Sequence, residues 1–289
     1  MEIFHTIREM QAWSAAQKRQ GKTIGIVPTM GFLHEGHLSL IDAARANGAE
    51  LVVVTIFVNP IQFAPNEDFD SYPRDFEHDR ALCEGKRVDA VFAPTPAEMY
   101  PAPITCYVSE RKLSKGLCAK TRPTHFDGVT TVVTKLFNAV LPDIAVFGQK
   151  DAQQARVLKR MIRDLNFPIR MIIAPIIREP DGLARSSRNK YLNETERKNA
   201  LVLSRSLREA RAELEKGECD LQKIASDISA KITASGGKVD YVETVDADEL
   251  EPATKYQGRP VMIALAAYFG KTRLIDNLLY GSENSHGTC

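Results

Sequence analysis

Lys22-Thr23-Ile24-Gly25-Ile26-Val27 runs into Pro28-Thr29-Met30-Gly31, and after Phe32-Leu33 comes His34-Glu35-Gly36-His37. Leu38, Ile41, Ala44 and Arg45 then recur at helical spacing until Asn47-Gly48 stops the pattern. The apolar run reads as a strand, Pro28 and Gly31 as its breakers, and His37 to Ala46 as a helix. Leu51 to Val58 follows as a nearly continuous β-branched run, the texture of a strand buried on both faces. Strand, loop, helix and strand in that order make a βαβ unit with a right-handed parallel crossover.

The same alternation extends outward. Upstream, Ile7 to Arg19 carries an apolar stripe and predicts a helix. Downstream, helices are expected at 74–86, 128–140 and 151–165, and strands at 90–92, 144–147 and 169–174. This is the pattern of an α/β protein with a doubly wound, Rossmann-like parallel sheet, whose ligands sit at the carboxyl ends of the strands. Attention falls on the loops after Val27, Val58, Phe147 and Ala174. The texture changes after Ile177. A long helix is expected over 193–217, with Asn193 as N-cap and Glu196 completing a capping box. A second is expected over 221–234, then strands at 239–245, 261–267 and 273–279. The expected domains are therefore 1–177, the larger α/β domain, and 178–289, a smaller α+β domain. Ser282 to Cys289 is polar and is expected to fray.

Composition narrows the function classes. Of 289 residues, 38 are Lys or Arg and 37 Asp or Glu, a net charge of +1 that favours neither nucleic acid nor an anionic membrane. Cys83, Cys106, Cys118, Cys219 and Cys289 are scattered and odd in number, which argues for reduced thiols in the cytoplasm. The N-terminus has no basic stretch followed by an apolar one, and no apolar run reaches membrane-spanning length.

Four motifs carry chemistry. His34-Glu35-Gly36-His37 opens a helix, where unpaired amides and the positive dipole end favour an anion. Two imidazoles there can donate to phosphate oxygens. The rival readings are a zinc pair, for which no third ligand is evident, and plain caps or core fillers. Gly148-Gln149-Lys150-Asp151 again follows a strand and opens a helix, with Lys150 placed as a point charge for phosphate and Gln153 and Gln154 on the next turn. Arg185-Ser186-Ser187-Arg188-Asn189-Lys190 is dense in anion donors at the domain boundary, where a loop can close over a nucleotide. Asn59-Pro60-Ile61-Gln62-Phe63 ends the second strand with two amides. Gly270-Lys271-Thr272 imitates the end of a P-loop, but Leu265 stands where that motif needs glycine, and the segment reads as two strands joined by a turn.

Pro28-Thr29-Met30-Gly31 through His34-Glu35-Gly36-His37 resembles the ATP signature of the nucleotidylyltransferase superfamily. With Asn59 to Phe63, Phe147 to Gln154, Gly182 to Asn189 and Gly270 to Asn277, the chain resembles the pantothenate synthetase (pantoate–β-alanine ligase) family over nearly its whole length. That resemblance implies ATP-dependent condensation of pantoate with β-alanine through pantoyl adenylate, releasing AMP and pyrophosphate. It implies catalytic roles for His34, His37 and Lys150. ATP would be held by Met30, Gly31, His34, His37, Gly148, Gln149, Lys150, Asp151, Ile177, Arg185, Ser186, Ser187 and Arg188. The substrate acids would be held by Gln62, Gln154, Asn59 and Arg122, with no protein-held metal and Mg2+ arriving on the ATP phosphates. It further implies a homodimer formed through the first domain and a lid role for the second. Arg185 departs from the Met or Leu common in the family and adds a cation. The alternative from the same superfamily, an adenylyltransferase for a phosphorylated metabolite, would share the histidine loop but lack paired glutamines for a non-phosphorylated acid.

Overall fold

A computed structural model of the chain describes residues 1–65 and 67–281; the expected frayed tail, Ser282 to Cys289, lies outside the described residues. In chain order the first elements are β1 (Glu2–Phe4), α1 (Ile7–Arg19), β2 (Ile24–Thr29), α2 (Glu35–Ala46), β3 (Leu51–Ile56), α3 (Phe76–Gly85), β4 (Ala90–Phe92) and α4 (Pro96–Met99). Then come α5 (His125–Val140), β5 (Ile144–Gly148), α6 (Ala152–Asp164) and β6 (Arg170–Ala174). The first six strands form one parallel sheet in the order β1-β4-β3-β2-β5-β6. The α/β, doubly wound sheet expected from the alternation is thus the fold.

Period-two alternation builds two cores, one on each face of this sheet. Ile24, Ile26, Val53, Phe92, Ala145 and Phe147 pack with Met10 of α1 and with Val129, Val133, Leu136 and Phe137 of α5. Their sequence neighbours Val27, Val52, Val54, Val91, Ile144 and Val146 pack instead with Leu38, Ile41 and Ala44 of α2 and Cys83 of α3. Gly25 leaves room for the end of α2: a Cβ there would stand 2.7 Å from the Ala49 Cβ and 3.3 Å from the Ala44 Cβ.

Two compact units divide the chain. The first holds the parallel sheet. The second takes the chain from Ile176 onward together with two detached pieces, Gly116–Lys120 and Lys150–Arg156. Its elements are α7 (Glu194–Ala200), α8 (Val202–Glu215), α9 (Leu221–Ala234), β7 (Lys238–Asp246), β8 (Val261–Phe269) and β9 (Thr272–Tyr280), with the strands antiparallel in sequence order. Strand β8 alternates in the same way. Val261, Ile263, Leu265, Ala267 and Phe269 pack with α8 and α9, whereas Met262 and Ala264 pack with Leu117 and Ala152 of the detached pieces.

One expectation is corrected, and one strand was not foreseen. The single helix expected over 193–217 is two, separated at Leu201. That residue stays right-handed, but its ψ of −19° is flattened and interrupts the ladder. Strand β1 was not anticipated, because three residues carry no readable period; it is defined by its pairing with β4. Gly270 turns β8 into β9 with φ +58°, so the Gly-Lys-Thr segment is a hairpin turn, as its reading as two joined strands required. Phe137 is 2% exposed and meets Phe167 edge-on at 5.5 Å. Phe137→Ala is expected to cost about 3–5 kcal/mol by cavity formation, seen as a lower denaturant midpoint for the unit holding the parallel sheet.

Candidate active site

Strand β2 is the point where the sheet reverses its direction of growth: β3, β4 and β1 lie to one side, β5 and β6 to the other. The loops leaving β2 and β5 therefore flank the place where such sheets bind ligands. After β2 the backbone turns through Gly31 at φ +79° and Phe32 at φ +50°, a left-handed pair. Thr29 Oγ1 donates to the Thr55 carbonyl at 2.7 Å and accepts the Gly31 N–H at 3.1 Å. Asp79, on α3 and 1% exposed, accepts the Phe32 N–H at 2.8 Å and the Leu33 N–H at 2.6 Å, one on each carboxylate oxygen. Burial raises the Asp79 pKa above its ordinary 3.8, against the pull of those two amides. Gly31 has no side-chain alternative, since a Cβ there would lie 2.9 Å from Asp79 Oδ2.

The turn delivers His34 as N-cap of α2. Its Nδ1 accepts the Gly36 N–H at 3.1 Å, while His37 Nδ1 accepts the His34 N–H at 3.3 Å in a reciprocal capping box. The two rings stack with centroids 4.0 Å apart. With both Nδ1 atoms accepting, each neutral ring carries its proton on Nε2. The cap reading is thus the one these contacts show, through the Nδ1 edge of each ring.

A second group of polar side chains lies at the end of β3. Asn59 is 1% exposed; its Nδ2 donates to Gln62 Oε1 and to the Gly128 carbonyl, both at 3.0 Å, and its Oδ1 accepts the Tyr100 hydroxyl at 2.7 Å. This orients the Gln62 amide so that Nε2 points at Met30 Sδ, 2.9 Å away. Asn59 thus serves mainly to aim Gln62. Gly128 of α5 makes the arrangement sterically feasible: a Cβ there would lie 2.6 Å from both the Gln62 Cα and the Ile61 carbonyl. Arg122 forms an ion pair with Glu67, through Nε to Oε1 and through Nη2 to Oε2 at 2.7 Å. Burial pushes the Glu67 carboxyl up, but the Arg122 guanidinium more than offsets this and holds it below the usual range.

Beyond β5, Gly148 and Gln149 belong to the first unit, and Lys150 and Asp151 open the piece assigned to the second. Among the described residues the Lys150 ammonium makes no ion pair, while its carbonyl accepts from Asn277 Nδ2 at 3.0 Å. The two glutamines on α6 separate cleanly. Gln153 is buried, accepting the Cys118 N–H at 3.0 Å and donating to the Gly116 carbonyl at 2.8 Å, so its amide clamps backbone. Gln154 is half-buried, and its side-chain amide has no hydrogen bond among the described residues. In the second unit the Ile177 carbonyl accepts the Arg185 N–H at 2.9 Å, and Arg178 bridges Ala184, making a short hairpin turned by Gly182 at φ +95°. Ser186 caps a 3-10 turn through Ser187 and Arg188, accepting the Arg188 N–H at 3.3 Å. The buried Nε of Arg185 has no hydrogen-bond partner among the described residues.

The sequence profile described as pantoate-beta-alanine ligase matches residues 2–279. The chain belongs to the pantoate–β-alanine ligase family. It is 56% identical over 282 residues to the pantothenate synthetase of Thermotoga neapolitana, covering 97% of this chain and 100% of that protein. The crystal structure of pantothenate synthetase from Thermus thermophilus superimposes with a TM-score of 0.89 at 42% identity, covering 96% of this chain and 99% of that one. The pantoate-beta-alanine ligase of Francisella tularensis, solved in complex with beta-gamma ATP and beta-alanine, matches with a TM-score of 0.80 at 33% identity over 96% of this chain and 97% of that one.

The first unit's loops carry imidazole and amide N–H groups and the second unit's carry ammonium and guanidinium groups, each a donor type suited to phosphate oxygens. Among the described residues no three His, Cys, Asp or Glu side chains are grouped to hold a metal ion. Sequence reading missed Asp79, Tyr100, Gly128 and Glu67, because each acts through the residue it positions; the signal for Asp79 was available only as a carboxylate inside an apolar helix face. Asn cannot replace Asp79 evenly, since one of the two loop amides would face a carboxamide NH2. With a raised folded pKa, Asp79's contribution to stability is complete below 3.8 and is lost as pH rises through the higher folded value. The stability advantage of the wild type over Asp79→Asn is therefore expected to be greatest in acid and to narrow across that window, as read from urea midpoints against pH.

Proposed function

We propose that this chain condenses pantoate with β-alanine to pantothenate, driven by ATP through a pantoyl-adenylate intermediate. Family membership supports the overall reaction, and the beta-gamma ATP and beta-alanine bound to the Francisella tularensis relative support two of the substrates. The observation that carries the adenylate step is the pair of stacked imidazoles, both locked at Nδ1, at the N-terminus of α2 where the sheet reverses.

A pantoate carboxylate oxygen attacks the α-phosphorus of ATP; the new P–O bond forms as the bond to pyrophosphate breaks. Negative charge grows on the phosphoryl oxygens and on the departing pyrophosphate. His34 and His37 donate to that charge from Nε2, with His37 the proton donor, and Lys150 adds a fixed positive charge. Met30 and Gly31, with Gly148, Gln149 and Asp151, line the nucleotide, while Ile177 and Arg185 to Arg188 take its remaining contacts. Mg2+ would arrive on the ATP phosphates and would neutralise part of their charge. The β-alanine amine then attacks the acyl carbon, loses a proton, and AMP leaves.

Gln62 and Gln154 hold pantoate. The Gln62 amide now faces a thioether, a weak acceptor, so an oxygen of the substrate is the stronger partner for it. Asn59 keeps that amide aimed, and Arg122 with Glu67 braces the same loop: Arg122 Nη2 stands 3.4 Å from the Gln62 carbonyl. The family likeness and the scattered thiols support a cytoplasmic homodimer as part of this reading, with 1–177 as the ATP- and pantoate-binding domain and 178–289 as the lid domain.

Labelled pyrophosphate should exchange into ATP only when pantoate is present, without β-alanine, and adding β-alanine should release AMP; no exchange by folded protein overturns the adenylate reading. His37→Ala and Lys150→Ala are each expected to slow that exchange by about 10²–10³-fold while circular dichroism stays unchanged. Gly128→Ala pushes its new methyl into the Gln62 backbone, so pantoate KM should rise at least about tenfold while ATP KM holds.

A further inference from the structure

The run Arg273-Leu274-Ile275-Asp276-Asn277 is part of the family likeness yet supplies none of the substrate-binding groups named above. It lies in β9, and two adjacent side chains there, both nearly buried, point to two separate pieces of the second unit. Asp276 is 3% exposed and Asn277 is 6% exposed. Asn277 Nδ2 donates to the Lys150 carbonyl at 3.0 Å. Asp276 takes Arg178 with both oxygens, at 2.6 Å and 3.0 Å, and its Oδ1 also accepts the Asn277 N–H at 2.8 Å. Arg178 starts the hairpin that presents Arg185 to Arg188: it bridges Ala184 and donates to the Gly182 carbonyl at 3.3 Å.

Two cationic segments far apart in sequence are therefore tied to one dipeptide on a rigid strand. A fork-shaped ion pair fixes direction as well as distance, and a buried amide donor fixes the height of the Lys150 turn. On that face of β9 the apolar core is built by Leu274 and Leu278, and Asp276 stands between them with its charge taken up by Arg178. We propose that Asp276 and Asn277 are positioning residues for adenylyl transfer, setting the Lys150 ammonium and the Arg185–Arg188 loop in register within the second unit. This rests on the adenylate reading above, in which both segments grip phosphate.

Asn277→Asp keeps size and shape but puts an oxygen against the Lys150 carbonyl. Arg178→Lys keeps the charge but breaks the fork to Asp276. Each is expected to lower the kcat of pantoate-dependent pyrophosphate exchange by about 10–100-fold with pantoate KM within about twofold, and with the melting temperature close to the wild type. Added to Lys150→Ala, Asn277→Asp should cost little more, since the ammonium it positions is then gone. If the wild type exchanges but both variants keep its kcat, or lose activity only in step with melting temperature, the positioning role is overturned. If the wild type itself shows no exchange, the adenylate reading fails and takes this role with it. Should Asn277→Asp not fold, Arg178→Lys, whose side chain is a third exposed, carries the test by the same criteria.

Discussion

A carboxylate taken out of water holds the histidine loop in shape. Asp79 gives one oxygen to the Phe32 amide and one to the Leu33 amide, directly before the two imidazoles. The loop needs this help. Phe32 sits at φ +50°, where a residue with a side chain loses about 1–2 kcal/mol. Two buried hydrogen bonds, worth about 1 kcal/mol each, are enough to offset that. The turn then arrives at the helix with His34 as its first cap, and the reciprocal bonds between His34 and His37 follow. The chemistry of the ring edges is thus downstream of a contact that touches neither ring.

The same logic recurs at the end of β3. Gln62 is aimed by Asn59, Asn59 is held by the Tyr100 hydroxyl and the Gly128 carbonyl, and Gly128 lets the backbone of α5 come close enough to supply that carbonyl. In both places a neighbour's hydrogen bonds fix the orientation of a polar side chain at the end of a strand or the start of a helix.

The sheet was legible because its strands are buried on both faces and its helices on one, so period and composition agreed at almost every element. Helices such as α1 and α9 and strand β4 were expected at the bounds they have, since caps and breakers mark them. The break at Leu201 was not legible, because an apolar stripe continues through it. At the site, the residues proposed to meet ligands were legible as polar groups at strand ends. Their supports were not, since an Asp in an amphipathic helix or a Gly within α5 carries no local mark of what lies across from it. Gln153 and Gln154 show the limit well: adjacent and chemically equal in sequence, they part only when one is seen clamping Gly116 and Cys118.

The second unit is assembled from three stretches of chain, and Leu117 and Ala152 complete the face of its sheet that α8 and α9 leave open. During synthesis those two residues emerge more than a hundred positions before β8, the strand they pack against. The parallel sheet, whose strands are all made by Ala174, has its own core and can close early. Gly116–Lys120 and Lys150–Arg156 must then wait on a growing chain with their apolar residues uncovered until the final hairpin arrives. Contacts so distant in sequence form slowly and leave surface exposed meanwhile, and the Lys150 turn gains its bond to Asn277 only once β9 has been made.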